Sequence, residues 1–327
     1  WTSTRSARLR NERAGLRNAL TSRSVNLLAQ IYRKRDRVAD LVKLLEKEAK
    51  RGVSVAKRKE ILEELGNLYS EKLERWTEAA DVFRQIFDLN PKQNVSYGKR
   101  AVDLLLEASR YEEAESLAAL VAQEAPDDER AEAELAWGLI LVNYLGREEE
   151  ALEVLSGAVD KRPDLAAGHL ALGKILFTRG DLDRSSFHLE IVAEGEIKNK
   201  AISAEAHQLA GSAAEELNRF DDARRHYEAA QALDPTNEDV LRSLDRLYTS
   251  MGLWSELSAV LAKQIALEAT PLTKAKLWYR RALLSRDILE DESEALRCLK
   301  EAVAAAPQFV EAVSALRQAS IASGDWG

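Results

Sequence analysis

Four histidines, one cysteine and a surplus of glutamates are the side chains here whose types and spacing could do chemistry. His169, His188, His207 and His226 recur every 19 residues. Imidazoles placed so regularly could serve a transition metal, but zinc needs its ligands about 2 Å from one ion. In a stack of helix pairs, equivalent histidines stand a whole pair apart. The expectation is therefore no metal, and semi-exposed histidines on helices. Cys298 is the single cysteine, so neither an intramolecular disulfide nor a cysteine-based metal cluster can form. It lies between Leu296 and Leu299 with only Arg297 to favour a thiolate, which predicts a buried structural thiol. Glu112-Glu113 and Glu148-Glu149-Glu150 read as helix starts, where acidic groups meet the positive end of the helix dipole. There is no phosphate-cradling glycine loop, nucleophile elbow or two-histidine metalloprotease helix. No catalytic residue, cofactor or metal is assigned.

The elements that would position these residues are helices in pairs. In residues 204–235, Ala210, Gly211 and Ala214 share one helical face. Asn218-Arg219 breaks the pattern, then Ala223, Tyr227 and Ala230 rebuild an apolar stripe, and Pro235 stops it. Phe220, just after the break, is expected to plug the bend. The plan recurs along the chain. Residues 59–91 carry Leu65, Gly66 and Tyr69, then Trp76, Ala79, Phe83 and Ile86, with one extra turn residue. Later copies hold Ala114, Ala118 and Val121, then Trp137, Gly138 and Ala151, then Leu172, Gly173 and Ser185. Leu244, Tyr248 and Leu257 follow, and finally Ala282, Ala295 and Leu299. All six prolines, at 91, 126, 163, 235, 271 and 307, fall at or near unit ends, as expected if none enters a helix interior. Leu45 and Leu261, Ala79 and Ala295, and Pro91 and Pro307 are each 216 residues apart, which suggests duplication of several units together.

With Ala204 as position one, small residues fall at positions eight and twenty (Gly211 and Ala223) and proline at thirty-two (Pro235). This resembles the tetratricopeptide repeat, a helix-turn-helix unit of 34 residues. The resemblance implies an all-α solenoid of stacked antiparallel helix pairs, a right-handed superhelix of about seven to eight repeats, whose first helices line a groove for a partner segment. Carried onto this chain, the family's groove positions are Leu135, Leu139, Val142 and Asn143, then Leu170, Lys174 and Phe177. Further on they are Glu205, Gln208, Ser212 and Glu215, then Arg242 and Arg246, then Lys276, Tyr279 and Arg286. The resulting expectation is a groove apolar in its middle and basic at its far end, binding a protein or peptide with apolar and acidic residues. The full Lys and Asn set with which chaperone-type members clamp a terminal carboxylate is missing.

Residues 1–60 carry 17 Lys and Arg against 6 Asp and Glu, a balance of +11, and the remainder carry 30 against 49, or −19. We read 1–21 as a basic, Arg-rich helical lead-in and 22–327 as the array, with an incomplete last repeat. Arg5, Arg8, Arg10, Arg13 and Arg17 form a basic patch that could meet nucleic acid or an anionic surface. Few aromatics accompany them to stack bases. The leading expectation is a non-enzymatic protein-protein interaction scaffold, with that basic patch or a regulatory role in a larger enzyme as alternatives. The Ala-, Arg-, Glu- and Leu-rich composition resembles that of bacterial arrays, and the incomplete last repeat suggests a segment of a longer array. The longest apolar run, 135–145, is far short of the roughly 20 residues that span a bilayer. A cytoplasmic scaffold within a larger assembly fits these readings.

Overall fold

In the computed structural model, residues 24–195 and 199–323 are described. The chain divides into two compact units, Trp1–Pro163 and Asp164–Gly327. Every element among the described residues is helical. The N-terminal unit stacks four helix pairs: α1 (24–34) with α2 (Val38–Ala49), α3 (Val55–Asn67) with α4 (Trp76–Leu89), α5 (Val95–Glu107) with α6 (Tyr111–Glu124), and α7 (Asp127–Ile140) with α8 (Glu148–Lys161). The C-terminal unit repeats the plan with α9 (Ala166–Thr178) and α10 (Leu182–Glu194), α11 (Lys200–Glu216) and α12 (Phe220–Leu233), α13 (Glu238–Met251) and α14 (Trp254–Leu267), and α15 (Pro271–Asp287) and α16 (Glu292–Ala305). A further first helix, α17 (Val310–Ser323), follows.

Each pair is closed by the same turn. One residue enters the left-handed region: Asp36, Glu74, Ser109, Gly146, Gly180, Asn218, Gly252 and Glu290, with φ between 50° and 77°. The amide of the following residue then reaches back to a carbonyl of the first helix, as in a Schellman closure. In five turns it reaches back five residues, as from Arg110 N to Leu105 O at 2.8 Å and from Arg219 N to Ala214 O at 2.8 Å. In three it reaches back six: Arg75 to Tyr69, Arg147 to Leu141 and Asp291 to Ser285. The sixth residue is absorbed by a wide helical turn, at Leu68–Lys72 and Leu141–Leu145 and at the end of α15, where Leu289 N bonds to Leu284 O. The extra residue expected in the 59–91 copy thus lies in the last turn of its first helix. Four of the residues that open a second helix are arginines bonded to an acid three positions on: Arg37 to Asp40, Arg75 to Glu78, Arg110 to Glu113 and Arg147 to Glu150.

In five of the pairs the two helices approach closely because a glycine on the first faces a large side chain on the second. A Cβ on Gly66 would lie 2.5 Å from the Phe83 ring, and one on Gly211 2.7 Å from the Tyr227 ring. Gly138 faces Leu155 and Gly173 faces Leu189 in the same way. The small position on the second helix is sealed in five successive pairs, with Ala79, Ala114, Ala151, Ser185 and Ala223 fully buried, while Leu41 and Leu257 fill it in α2 and α14. All six prolines lie outside helix interiors, with Pro271 opening α15 and Pro126 capping α7. The 216-residue offset holds in the structure, since Trp76–Leu89 maps onto Glu292–Ala305 and Glu74 onto Glu290. Phe220 does not plug its bend: it is 41% exposed.

Candidate functional site

The basic patch Arg5, Arg8, Arg10, Arg13 and Arg17, and the helical lead-in 1–21, lie outside the described residues. The expected groove residues divide between the two units. In the N-terminal unit Leu135, Leu139 and Val142 are half-buried and Asn143 is exposed at the end of the first helix. In the C-terminal unit Leu170 turns inward instead, 7% exposed in a core with Leu189, Val192 and Ala206. Its helix α9 packs against both α10 and α11, so a leucine on that side has no open face. Phe177 is half-buried.

The polar groove positions are largely occupied by the stack itself. First helices of successive pairs are joined across their exposed faces. Lys174 pairs with Glu205 at 2.5 Å. Gln208 accepts from Asn237 at 3.1 Å. Arg246 holds Glu215 through two bonds of 2.8 Å, and Arg280 holds Asp245 at 2.6 and 2.7 Å. The N-terminal unit has its counterparts in Arg33 with Glu64 at 2.7 Å and Lys99 with Glu129 at 2.5 Å. Arg246, and after it the Tyr227 hydroxyl, keeps the Glu215 carboxyl below the usual range. Arg242 is engaged by Asp239 and Glu238 of its own helix, and Arg286 by Asp287. Ser212 bonds to Gln208 O and the Tyr227 hydroxyl, and Tyr279 meets Phe309 edge-on at 5.4 Å between centroids. Lys276 is exposed. The far end therefore carries its guanidinium groups already matched by carboxylates.

Open space remains between successive first helices. One cavity of about 460 Å³ is lined by Lys200, Glu205 and Gln208 of α11 and by Leu233, Asp234 and Asn237 leading into α13. A second, of about 440 Å³, is framed by Leu241, Arg242 and Asp245 of α13, Gln264 and Leu267 of α14, and Leu277 of α15. In the N-terminal unit a shallower one of about 320 Å³ follows Glu60, Glu63 and Glu64 of α3 and Glu71 of the wide turn after it.

Two of the histidines correct the sequence reading, while His188 and His207 are half-buried, as expected. His169 and His226 are 4% and 1% exposed, and the two members of each pair meet. His169 Nδ1 lies 2.9 Å from His188 Nδ1, and His207 Nδ1 3.1 Å from His226 Nδ1. Nineteen residues carry the chain from the middle of a first helix, around the turn, to the facing level of its second helix, so the spacing marks contact within a pair. One Nδ1 must donate and the other accept, and an imidazolium pair cannot make this bond. Burial, with Arg225 beside it, pulls His226 down to about 4, and burial lowers His207 as well. Among the described residues no group of three or more His, Cys, Asp or Glu is placed to hold a metal ion. Cys298 is fully buried, as expected, and burial pushes its thiol up to about 11.

Residues 204–237 match the family model of the tetratricopeptide repeat. Among solved structures, the C-terminal part of a tetratricopeptide repeat-containing protein from Cytophaga hutchinsonii superposes with a TM-score of 0.54 at 14% identity, over 79% of this chain and 99% of that one. The chain has the tetratricopeptide-repeat fold. A tetratricopeptide repeat protein from Parabacteroides merdae matches at 14% identity and a TM-score of 0.49, over 80% of this chain and 98% of that one. YrrB, described as a tetratricopeptide-repeat protein with an unusual peptide-binding site, matches at 15% identity and a TM-score of 0.43, over 58% and 93%. No curated protein matches. In this tetratricopeptide-repeat chain no described helix is long and apolar enough to cross a membrane.

Proposed function

We propose that this chain is a non-enzymatic scaffold that binds a protein or peptide segment along the exposed faces of its first helices. One observation carries the reading. The cavities between α11 and α13 and between α13 and α15 are open, repeat-spaced gaps with mixed apolar and polar linings, a form that suits successive side chains of an extended partner. Reactive groups point the same way: the thiol is buried with a raised pKa, and the histidines bond to one another in pairs. Arg242 and Arg246 set no acidic preference in the partner, because carboxylates of this chain already hold both groups. The proposal includes a cytoplasmic location, in keeping with a lone thiol that needs no disulfide partner.

Selection of linear peptides from a displayed random library against the whole chain tests the reading. Enrichment of related sequences is expected, with binding weakened by Leu277→Glu in the α13–α15 gap. Absence of any enriched sequence, or enrichment indifferent to substitutions along the first helices, would refute it.

A further inference from the structure

Helix α1 carries an apolar face that is sealed in its counterparts. Leu28 and Ile31 stand eight and five residues before the left-handed corner at Asp36, and they are 42% and 45% exposed, with Leu27 exposed beside them. In the four other first helices closed by the same five-residue turn both positions are buried, as Leu172 and Ile175 are in α9 and Leu244 and Leu247 in α13. Leu244 and Leu247 lie in one core with Ala223, Tyr227 and Ala230 of α12, the second helix of the pair before. Among the described residues, α1 is the first helix with no second helix before it. Burial of apolar surface is the dominant favourable term in folding, so this face fits a helix laid across it as α12 lies across α13.

We propose that residues 4–17 of this chain cover that face as the second helix of one more pair. Length and position agree. Second helices such as α12 and α14 run 14 residues, and residues 1–23 supply one of that length with a connection leading directly into α1. The 216-residue offset, which relates Asp36 to Gly252 and Glu74 to Glu290, puts 4–17 on Phe220–Leu233 of α12. Ala7 and Ala14 then stand where Ala223 and Ala230 do. Asn11 takes the place of Tyr227, whose ring packs on Gly211 of its own first helix and is not required toward α1. The deciding match is polar. Three times an aromatic of a first helix donates to a glutamate of the second helix before it: Tyr69 to Glu46, Trp137 to Glu115 at 2.9 Å and Tyr248 to Glu228 at 2.9 Å. The same offset sets Tyr32 of α1 at Tyr248 and Glu12 at Glu228, and Glu12 is the single acid among residues 1–23. The short connection, 18–23, also holds the segment at an effective concentration of about millimolar, ahead of a second copy in dilute solution. Docked in this way, Arg5, Arg8 and Arg13 take the places of Asp221, Arg224 and Ala229, none of which is buried. The basic patch is then carried on the free side of a helix fixed to the array.

Amide hydrogen exchange of the whole chain, read by mass spectrometry of peptic fragments, tests the assignment. Fragments within 4–17 are expected to exchange roughly tenfold or more slowly than an unstructured chain. Leu28→Glu together with Ile31→Glu should return them to the unstructured rate while α5–α8 keep their protection. Ala14→Gln, which alters nothing in the described array, should do the same and guards against a face variant that merely unfolds α1. Tyr32→Phe and Glu12→Ala should each lower the protection of 4–17 several-fold, and together no further than either alone. Unprotected 4–17 in the wild type, protection indifferent to the face variant and to Ala14→Gln, or additive effects at positions 12 and 32 would overturn the proposal. So would a concentration-dependent dimer in sedimentation that Ile31→Glu dissolves, since a second copy would then hold the face.

Discussion

Acidification should unlock the C-terminal unit at the His207–His226 contact, and the size of the effect follows from the structure. His226 is 1% exposed, its Nδ1 lies 3.1 Å from that of His207, and its Nε2 lies 3.3 Å from the Arg225 guanidinium. Protonation would put a cation between a second imidazole and a guanidinium, against which Asp222 and Glu194 favour the charged form. The folded pKa of about 4 lies below the ordinary histidine value of 6.5. The unfolded chain therefore binds the proton first, and the stability present above pH 6.5 is lost as pH falls toward 4. Integrating the two titrations between pH 8 and pH 5 gives a loss of about 2 kcal/mol from His226 alone. His207 is shifted in the same direction and adds to it. Urea unfolding followed by helicity at pH 8, 7, 6 and 5, in the wild type and in His226→Gln, isolates the term from carboxylates that titrate in both. Exchange protection of the α12 amides localises it. If the two proteins lose stability in parallel down to pH 5, the reasoning is refuted.

Four further outcomes are expected. Gly211→Ala places a methyl 2.7 Å from the Tyr227 ring and should destabilise by about 1–3 kcal/mol in thermal unfolding, with Tyr227→Leu in the same chain recovering part of the loss. Glu290→Gly relieves a left-handed residue at φ 55° and should stabilise by about 0.5–1 kcal/mol in denaturant unfolding. A double-mutant cycle of Arg246→Gln and Glu215→Gln should return a coupling of about 0.5–1 kcal/mol that shrinks with salt; zero coupling at low salt would show that the two bonds do not brace α11 against α13. Cys298, buried with its pKa raised to about 11, should react with a thiol reagent at neutral pH only once urea opens α16, and rapid labelling of the folded chain contradicts its placement.

Much of this architecture was legible in the sequence, because helix pairs leave local marks. Prolines at joints, small residues at Gly211 and Ala223, and an apolar face of period 3.6 are each consequences of one element and its nearest neighbour. The site was less legible for the same reason. Arg246 reads as a free groove cation until Glu215, 31 residues earlier, is seen to face it from the preceding first helix. Leu170 has the type and register of a groove residue, and only the packing of α9 against two neighbours turns it inward. The histidine spacing carried a usable signal that was assigned to the wrong distance: 19 residues is the separation of facing levels within a pair, as Gly211 and Tyr227, 16 apart, mark a neighbouring level.

The wide turns that end three of the first helices bear on how such a chain can change in length. The added residue is taken up before the left-handed corner, so the second helix starts from the same closure, and this accounts for one position of the 34-to-38-residue spread between the left-handed residues at 36, 74, 109, 146, 180, 218, 252 and 290, the rest arising from helix and connection lengths. A fixed 34-residue template is thrown out of step by that elasticity, while the folded stack is indifferent to it. Single-residue insertions should therefore be tolerated at these three corners, and the lengths of neighbouring repeats are free to drift apart while their interfaces hold still.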